Sequence, residues 1–204
     1  MLKKAPPLLL IAGLLLASGC GSSSPSQATS STAAAGAAPE GGAALSADAK
    51  SAATGDIPDT QNFLTLRAPR LRVAMLYPEG WTVQEHGSSL SIADKNNLVR
   101  ISSSGGPPPT AVSVQAQLAA LGRSTPGLQA GPARSVALKS GPAVKTTYTT
   151  QSAPNPVTGK QVTLTVDRYE LAHAGRVAIV DLGTPVGVDN VDAYKRMIES
   201  FKWL

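Results

Sequence analysis

The 204-residue chain predicts an α+β protein: an α/β/α sandwich with a central antiparallel sheet, helices packed on it, and a disordered tether in front. Three observations carry this reading. Between residues 71 and 182, apolar and polar residues alternate in short runs separated by Gly, Pro or Asn. Two segments, one after Thr110 and one after Asp189, switch to helical spacing. Composition changes abruptly near residue 60, from small and polar to mixed and apolar.

Leu71, Val73, Met75 and Tyr77 alternate with Arg72, Ala74 and Leu76, the pattern of a strand with one buried face. Pro78-Glu79-Gly80 turns it, and Trp81 and Val83 resume the alternation. Leu90 and Ile92, then Leu98, Val99 and Ile101, flank Asp94-Lys95-Asn96-Asn97, which reads as a β-hairpin. Gly105-Gly106-Pro107-Pro108-Pro109 excludes helix, because proline removes amide donors and fixes the backbone. Thr110 or Ser113 then caps a helix with Val114, Leu118 and Leu121 on one face, and Gly122 is its expected stop.

Val136 and Leu138 open the next strand, and Gly141-Pro142 turns it. Val144, Thr146 and Tyr148 alternate up to the turn at Asn155-Pro156-Val157-Thr158-Gly159. Val162, Leu164 and Val166 begin a strand extended through Tyr169 and Leu171. Ala172-His173-Ala174-Gly175 reverses the chain. Val177 to Leu182, nearly all apolar, predicts a strand covered on both faces. Asp189 or Asn190 is expected to cap the last helix, whose apolar stripe is Val191, Tyr194, Met197, Ile198 and Phe201. Asp192 can pair with Arg196 on its outer face. Short turns imply antiparallel strands, and the two helices are expected on opposite faces.

The front of the chain has different chemistry. Lys3 and Lys4 precede an apolar run from Leu8 to Leu16, followed by the small residues Ala17, Ser18 and Gly19. That is the layout of an export signal, and the run is shorter than the about 20 residues that span a bilayer. Leu16-Ala17-Ser18-Gly19-Cys20 resembles a bacterial lipobox, where cleavage precedes a lipidated cysteine. Cys20 is the chain's one cysteine. The resemblance implies a signal peptide over residues 1–19 and an anchor of acyl chains, such as palmitate, on Cys20. The exported part then has no disulfide, thiolate metal site or cysteine nucleophile.

Residues 20–59 are expected to form the lipid-anchored tether. Of residues 21–59, 31 of 39 are Ala, Gly, Ser, Thr or Pro, too few apolar groups to offset ordering entropy. A coil of that length has an end-to-end distance of roughly 35 Å. Residues 60–204 then form one domain, with 15 Lys and Arg against 9 Asp and Glu, net +6, while the tether is net −3. Such a surface favours anionic lipid headgroups or acidic partners. The cations are scattered and no basic helix appears, so nucleic acid is not an expected partner.

Tyr77-Pro78-Glu79-Gly80-Trp81 near the domain's start, and Tyr194 followed by Ser200-Phe201-Lys202-Trp203 at its end, give residues 63–204 a resemblance to the PsbP-like family, which includes LpqN- and DcrB-type bacterial proteins. The resemblance implies the α/β/α sandwich and members that act as adaptors, assembly factors or binding proteins without a shared catalytic site. The residues themselves write out no reaction. His86 and His173 are far apart, and no phosphate loop or nucleophile elbow occurs. The glycines of Gly183-Thr184-Pro185-Val186-Gly187 read as a connecting loop. Trp81, Tyr194, Phe201 and Trp203 can be core or can line an apolar pocket. The expectation is therefore an exported lipoprotein on the extracytoplasmic side of a bacterial membrane, not an enzyme, with no cofactor and no metal. It binds or assembles an envelope protein partner; the alternative is a carrier or sensor of a lipid or other apolar small molecule.

Overall fold

The computed structural model describes residues 55–155 and 157–204. The expected signal peptide, Cys20 and the expected tether up to residue 54 lie outside the described residues. Among the described residues, eleven strands and two helices follow one another: β1 (Phe63–Ala68), β2 (Val73–Pro78), β3 (Thr82–His86), β4 (Ser89–Asp94), β5 (Asn97–Gly105), α1 (Ala111–Ser124), β6 (Gln129–Ala130), β7 (Arg134–Leu138), β8 (Gly141–Gln151), β9 (Thr163–His173), β10 (Arg176–Pro185), α2 (Val191–Glu199) and β11 (Lys202–Trp203). The class is α+β, as the alternation predicts.

The central sheet has eight antiparallel strands in the order β3-β4-β5-β10-β9-β8-β6, with β7 also paired to β8. Register assigns its faces, because successive side chains point to opposite sides. Ile101 opposes Val180, which opposes Tyr169, and Val99 opposes Leu182. These residues, with Leu90, Ile92 and Leu171, supply the main core. On the other face, Val144, Tyr148, Leu164 and Val166 pack under Val114 and Leu118 of α1. β9 serves both cores in turn: its first half buries Leu164 and Val166 beneath α1, its second half Tyr169 and Leu171 on the opposite side.

The layer over the main core is not a helix alone. β1, β2 and β11 form a second, three-stranded sheet, and α2 adds Tyr194, Met197 and Ile198 beside it. The alternation around Leu71 to Trp81 gave no hint of a separate sheet. β1 escaped notice because its burial does not alternate: Leu64 and Arg67 are exposed, while Phe63 and Leu66 are half-buried.

Several local expectations change. Thr110 caps α1, and the cap is a reciprocal box in which Ser113 N–H donates to Thr110 Oγ1 at 3.1 Å and Thr110 N–H to Ser113 Oγ at 2.9 Å. It runs past Gly122, which sits against Leu128, and ends where Thr125 N–H donates to Leu121 O at 2.9 Å. The last helix stops at Glu199, before Phe201. Ser200 Oγ donates to Met197 O at 2.6 Å and accepts from Leu76 N–H at 2.8 Å, which turns the chain into β11 beside Val73 and Ala74. Val191 is 71% exposed, outside the apolar stripe. Arg196 lies over the Phe63 ring at 4.3 Å rather than reaching Asp192. Gly183 to Pro185 belongs to β10, not to a loop, and a Cβ on Gly183 would press to 3.3 Å from Leu98 O. Ala178, Val180 and Leu182 are fully buried, but Val177 and Ile179 on the other face are only half-buried.

The largest correction concerns Asn190. It makes no side-chain cap bond to α2; Asp189 Oδ1 instead accepts from Val191 N–H at 3.2 Å. Asn190 turns inward. Its Oδ1 accepts from Ile57 N–H at 2.8 Å, and its Nδ2 donates to Thr184 Oγ1 at 2.8 Å and to Asn97 Oδ1 at 3.0 Å. Ile57 joins the main core. Ordered packing thus reaches back to Gly55, five residues before the expected domain start at 60, because buried side-chain amides need partners and the chain's own backbone supplies them.

Candidate binding surface

The groups with the most chemistry are spent inside. Arg168 and Glu170 on β9, Asp181 on β10 and Tyr148 on β8 share the α1 face of the central sheet. Arg168 Nε donates to Asp181 Oδ1 at 2.8 Å and Nη2 to Oδ2 at 3.0 Å, a bidentate fork. The guanidinium also lies 5.5 Å from the Tyr148 ring centroid. Burial pushes the Tyr148 hydroxyl up to about 12, helped by Asp181. Asp181 raises Arg168 further above its ordinary value, overriding the burial that would lower it. The fork joins Arg168 of β9 to Asp181 of β10, so the group ties two neighbouring strands together.

Glu170 is its weakest member. It is 1% exposed, its Oε1 has no hydrogen-bond partner, and Arg168 Nη1 stands 3.8 Å away. Burial raises its carboxyl above the ordinary 4.5, and Arg168 opposes this only in part. The folded state therefore holds that proton more tightly than the unfolded chain does. Its contribution is fully present below the ordinary value and is lost as pH rises through the folded one. Glu170→Gln is expected to add about 1 kcal/mol near neutral pH. It also flattens the fall in stability above 4.5, and urea midpoints across that pH range read both effects.

The histidines do not meet. His86, at the end of β3, has Nε2 3.5 Å from Ser91 Oγ. His173 stacks on Trp203 with ring centroids 5.8 Å apart. Among the described residues no group of three or more His, Cys, Asp or Glu is placed to hold a metal ion. Trp81, Tyr194 and Phe201 are packed in the main core, and Trp203 meets Phe201 edge-on at 5.4 Å. Tyr194 donates its hydroxyl to Gly183 O at 2.6 Å. Cys20 lies outside the described residues.

What remains open is a surface that neither motif nor periodicity marked. The β1–β2 turn and the β3–β4 hairpin enclose a cleft of about 280 Å³. Ala68, Leu71 and Leu90, all nearly fully buried, make an apolar floor, and Arg70 and Glu85 stand at its rim. The turn is closed by Leu71 N–H to Ala68 O and Arg72 N–H to Pro69 O, both 3.1 Å, and Arg72 takes a left-handed φ of 57°. Arg70 and Arg72 are exposed on it, and Arg67 is exposed on β1. Alongside runs β3, whose five residues are all exposed and which pairs only with β4. A second groove of about 350 Å³ lies along α2. It mixes Lys139, Lys195 and Arg196 with Asp192 and Glu199, and Lys139 already stands 3.9 Å from Glu199.

No protein-family model matches the chain, and no curated protein matches it. Solved structures do. The solution structure of cyanobacterial PsbP (CyanoP) from Synechocystis sp. PCC 6803 aligns with a TM-score of 0.52 at 15% identity, over 74% of this chain and 98% of that one. The Ran-binding protein Mog1p of Saccharomyces cerevisiae aligns at 0.45 and 9% identity, over 70% and 95%. A crystal structure from Bacteroides thetaiotaomicron VPI-5482 aligns at 0.44 and 17% identity, over 69% of this chain and 48% of that one. The last two are too loose to define a fold. The first shows that the described domain has a PsbP-like fold.

Proposed function

We propose that this chain is an exported lipoprotein of the LpqN/DcrB type. Acyl chains on Cys20 hold it to a bacterial membrane, and its PsbP-like domain faces the extracytoplasmic side. The domain binds or helps assemble an envelope protein partner and catalyses no reaction. The observation that supports this most is the surface just described: an apolar floor below a turn that exposes Arg70 and Arg72, beside a strand edge that pairs only with β4. Its rim groups, Arg70 and Glu85, suit contact with another chain, while the buried charges are tied to each other. A carrier of apolar molecules gains no such support, since Trp81, Tyr194 and Phe201 are packed in the core.

The anchor has a direct test. The wild-type chain is expected in the membrane fraction, with the mass of an acylated Cys20 and no leader. Cys20→Ala is expected to leave that fraction or to keep residues 1–19. Full-length wild type in cytosol with a free thiol would overturn the reading. The binding role is tested by cross-linking intact envelopes through lysines introduced around the cleft. One stoichiometric protein partner is expected, and repeated recovery of none would defeat the proposal.

A further inference from the structure

The mode of that binding follows from β3, and the inference rests on the binding role just proposed. We infer that the domain takes an extended, acidic segment of its partner as an extra strand on β3, with an apolar side chain seated in the cleft beneath the arginine turn.

β3 is one terminus of the eight-stranded sheet, Thr82-Val83-Gln84-Glu85-His86, and contains neither Pro nor Lys, the usual blunting residues of an edge. Half of its backbone donors and acceptors point away from β4. A strand added there lies about 4.8 Å further out. Every second side chain of that strand then projects to the same side as Val83 and Glu85, the side on which the cleft opens. Main-chain bonds supply affinity in this mode of recognition, and pockets for alternate side chains supply selectivity. Of the other free edges, β1 runs into Pro69, and β7, as long as β3, contributes nothing to the cleft lining.

Charge selects the occupant. Arg70 stands at the rim of the cleft with Glu85 opposite, and Arg72 is exposed in the same turn, a surplus of one cation. A carboxylate two residues from the seated apolar side chain lies on the same side of the incoming strand and faces that surplus. A second copy of this chain fits poorly. Its matching edge, β3, brings one carboxylate, Glu85, and that already stands at its own cleft beside Arg70. An anionic lipid surface would engage the arginines but leave the strand edge and the apolar floor unused.

The test uses the full-length chain in neutral phosphatidylcholine nanodiscs and the heptapeptide Thr-Asp-Thr-Leu-Thr-Asp-Thr, acetylated and amidated. Saturating peptide is expected to slow amide exchange at Val83 to Glu85 by about tenfold. The same peptide N-methylated at alternate residues is expected not to bind. Arg70→Glu, a change in an exposed turn that leaves the fold intact, weakens the peptide by about tenfold. Arg123→Glu, on α1 across the sheet, leaves its affinity unchanged. Unaltered exchange at millimolar peptide, equal binding of the N-methylated peptide, or indifference to Arg70→Glu would each overturn the inference. So would a dimer that protects the same amides, or phosphatidylglycerol vesicles that protect them when the peptide does not. A stoichiometric partner cross-linked elsewhere on the surface, with β3 unprotected, defeats this mode and leaves the binding role standing. The absence of any partner defeats the role itself.

Discussion

Arg168→Met is expected to lower the unfolding free energy by about 3–5 kcal/mol. The reason is what it leaves behind. Asp181 is 4% exposed and Glu170 1% exposed, and Arg168 is the cation that answers both. Without it two carboxylates share a buried face beneath α1. Total stability for a domain of this size is about 5–15 kcal/mol, so the loss takes a large part of it. The urea midpoint measures it, and an unchanged slope of free energy against urea shows that the unfolded state has not moved. A loss below about 1 kcal/mol would mean that water reaches the fork and screens it. The combined replacement Arg168→Met, Asp181→Leu and Glu170→Gln recovers most of the loss, because the penalty lies in unpaired charge and not in the missing guanidinium.

Asn190→Ala is expected to cost about 2–3 kcal/mol, since it strands several buried groups at once. Ile57 N–H loses its acceptor, and Asn97 Oδ1 and Thr184 Oγ1 lose a donor. Exchange at the Ile57 amide should accelerate ahead of global unfolding, which separates local release from general loss of stability. Asn97→Ala is the control. It removes the bonds to Gly55 O, Asn190 Nδ2 and Thr184 Oγ1 but leaves the Ile57 amide its acceptor, so its effect on that amide is smaller. Equal losses for the two variants would show that Asn190 holds the start of the domain no more firmly than Asn97 does.

Most of the fold could be read from the residues, and the reason is periodicity. Strands β4, β5, β8, β9 and β10 bury every second residue on at least one face, so Leu90 with Ile92, and Val99 with Ile101, announce themselves. β1 and β11 did not: one lacks alternation and the other is two residues long. Asn190 misled because Asp-Asn before an amphipathic run is the ordinary signature of a cap, and nothing local shows that its amide faces inward. The charged tie left a trace. Arg168 and Glu170 continue the inward parity of Leu164 and Val166, and Asp181 interrupts an apolar run. An ion at an inward position asks for a partner, but the partner is named only once register sets Arg168 opposite Asp181. The cleft left none, because two turns distant in sequence build it. For the anchor the case is reversed: Cys20 is read from sequence alone.

The bonds at Gly55 and Ile57 have a mechanical consequence. A pull along the backbone from the N-terminal side meets both, and Asn190 holds each of them. That amide is joined to β5 through Asn97 and to β10 through Thr184, two neighbours inside the eight-stranded sheet. Load therefore enters the eight-stranded sheet at β5 and β10, the two strands that Asn190 joins, and not at its edge strand β3.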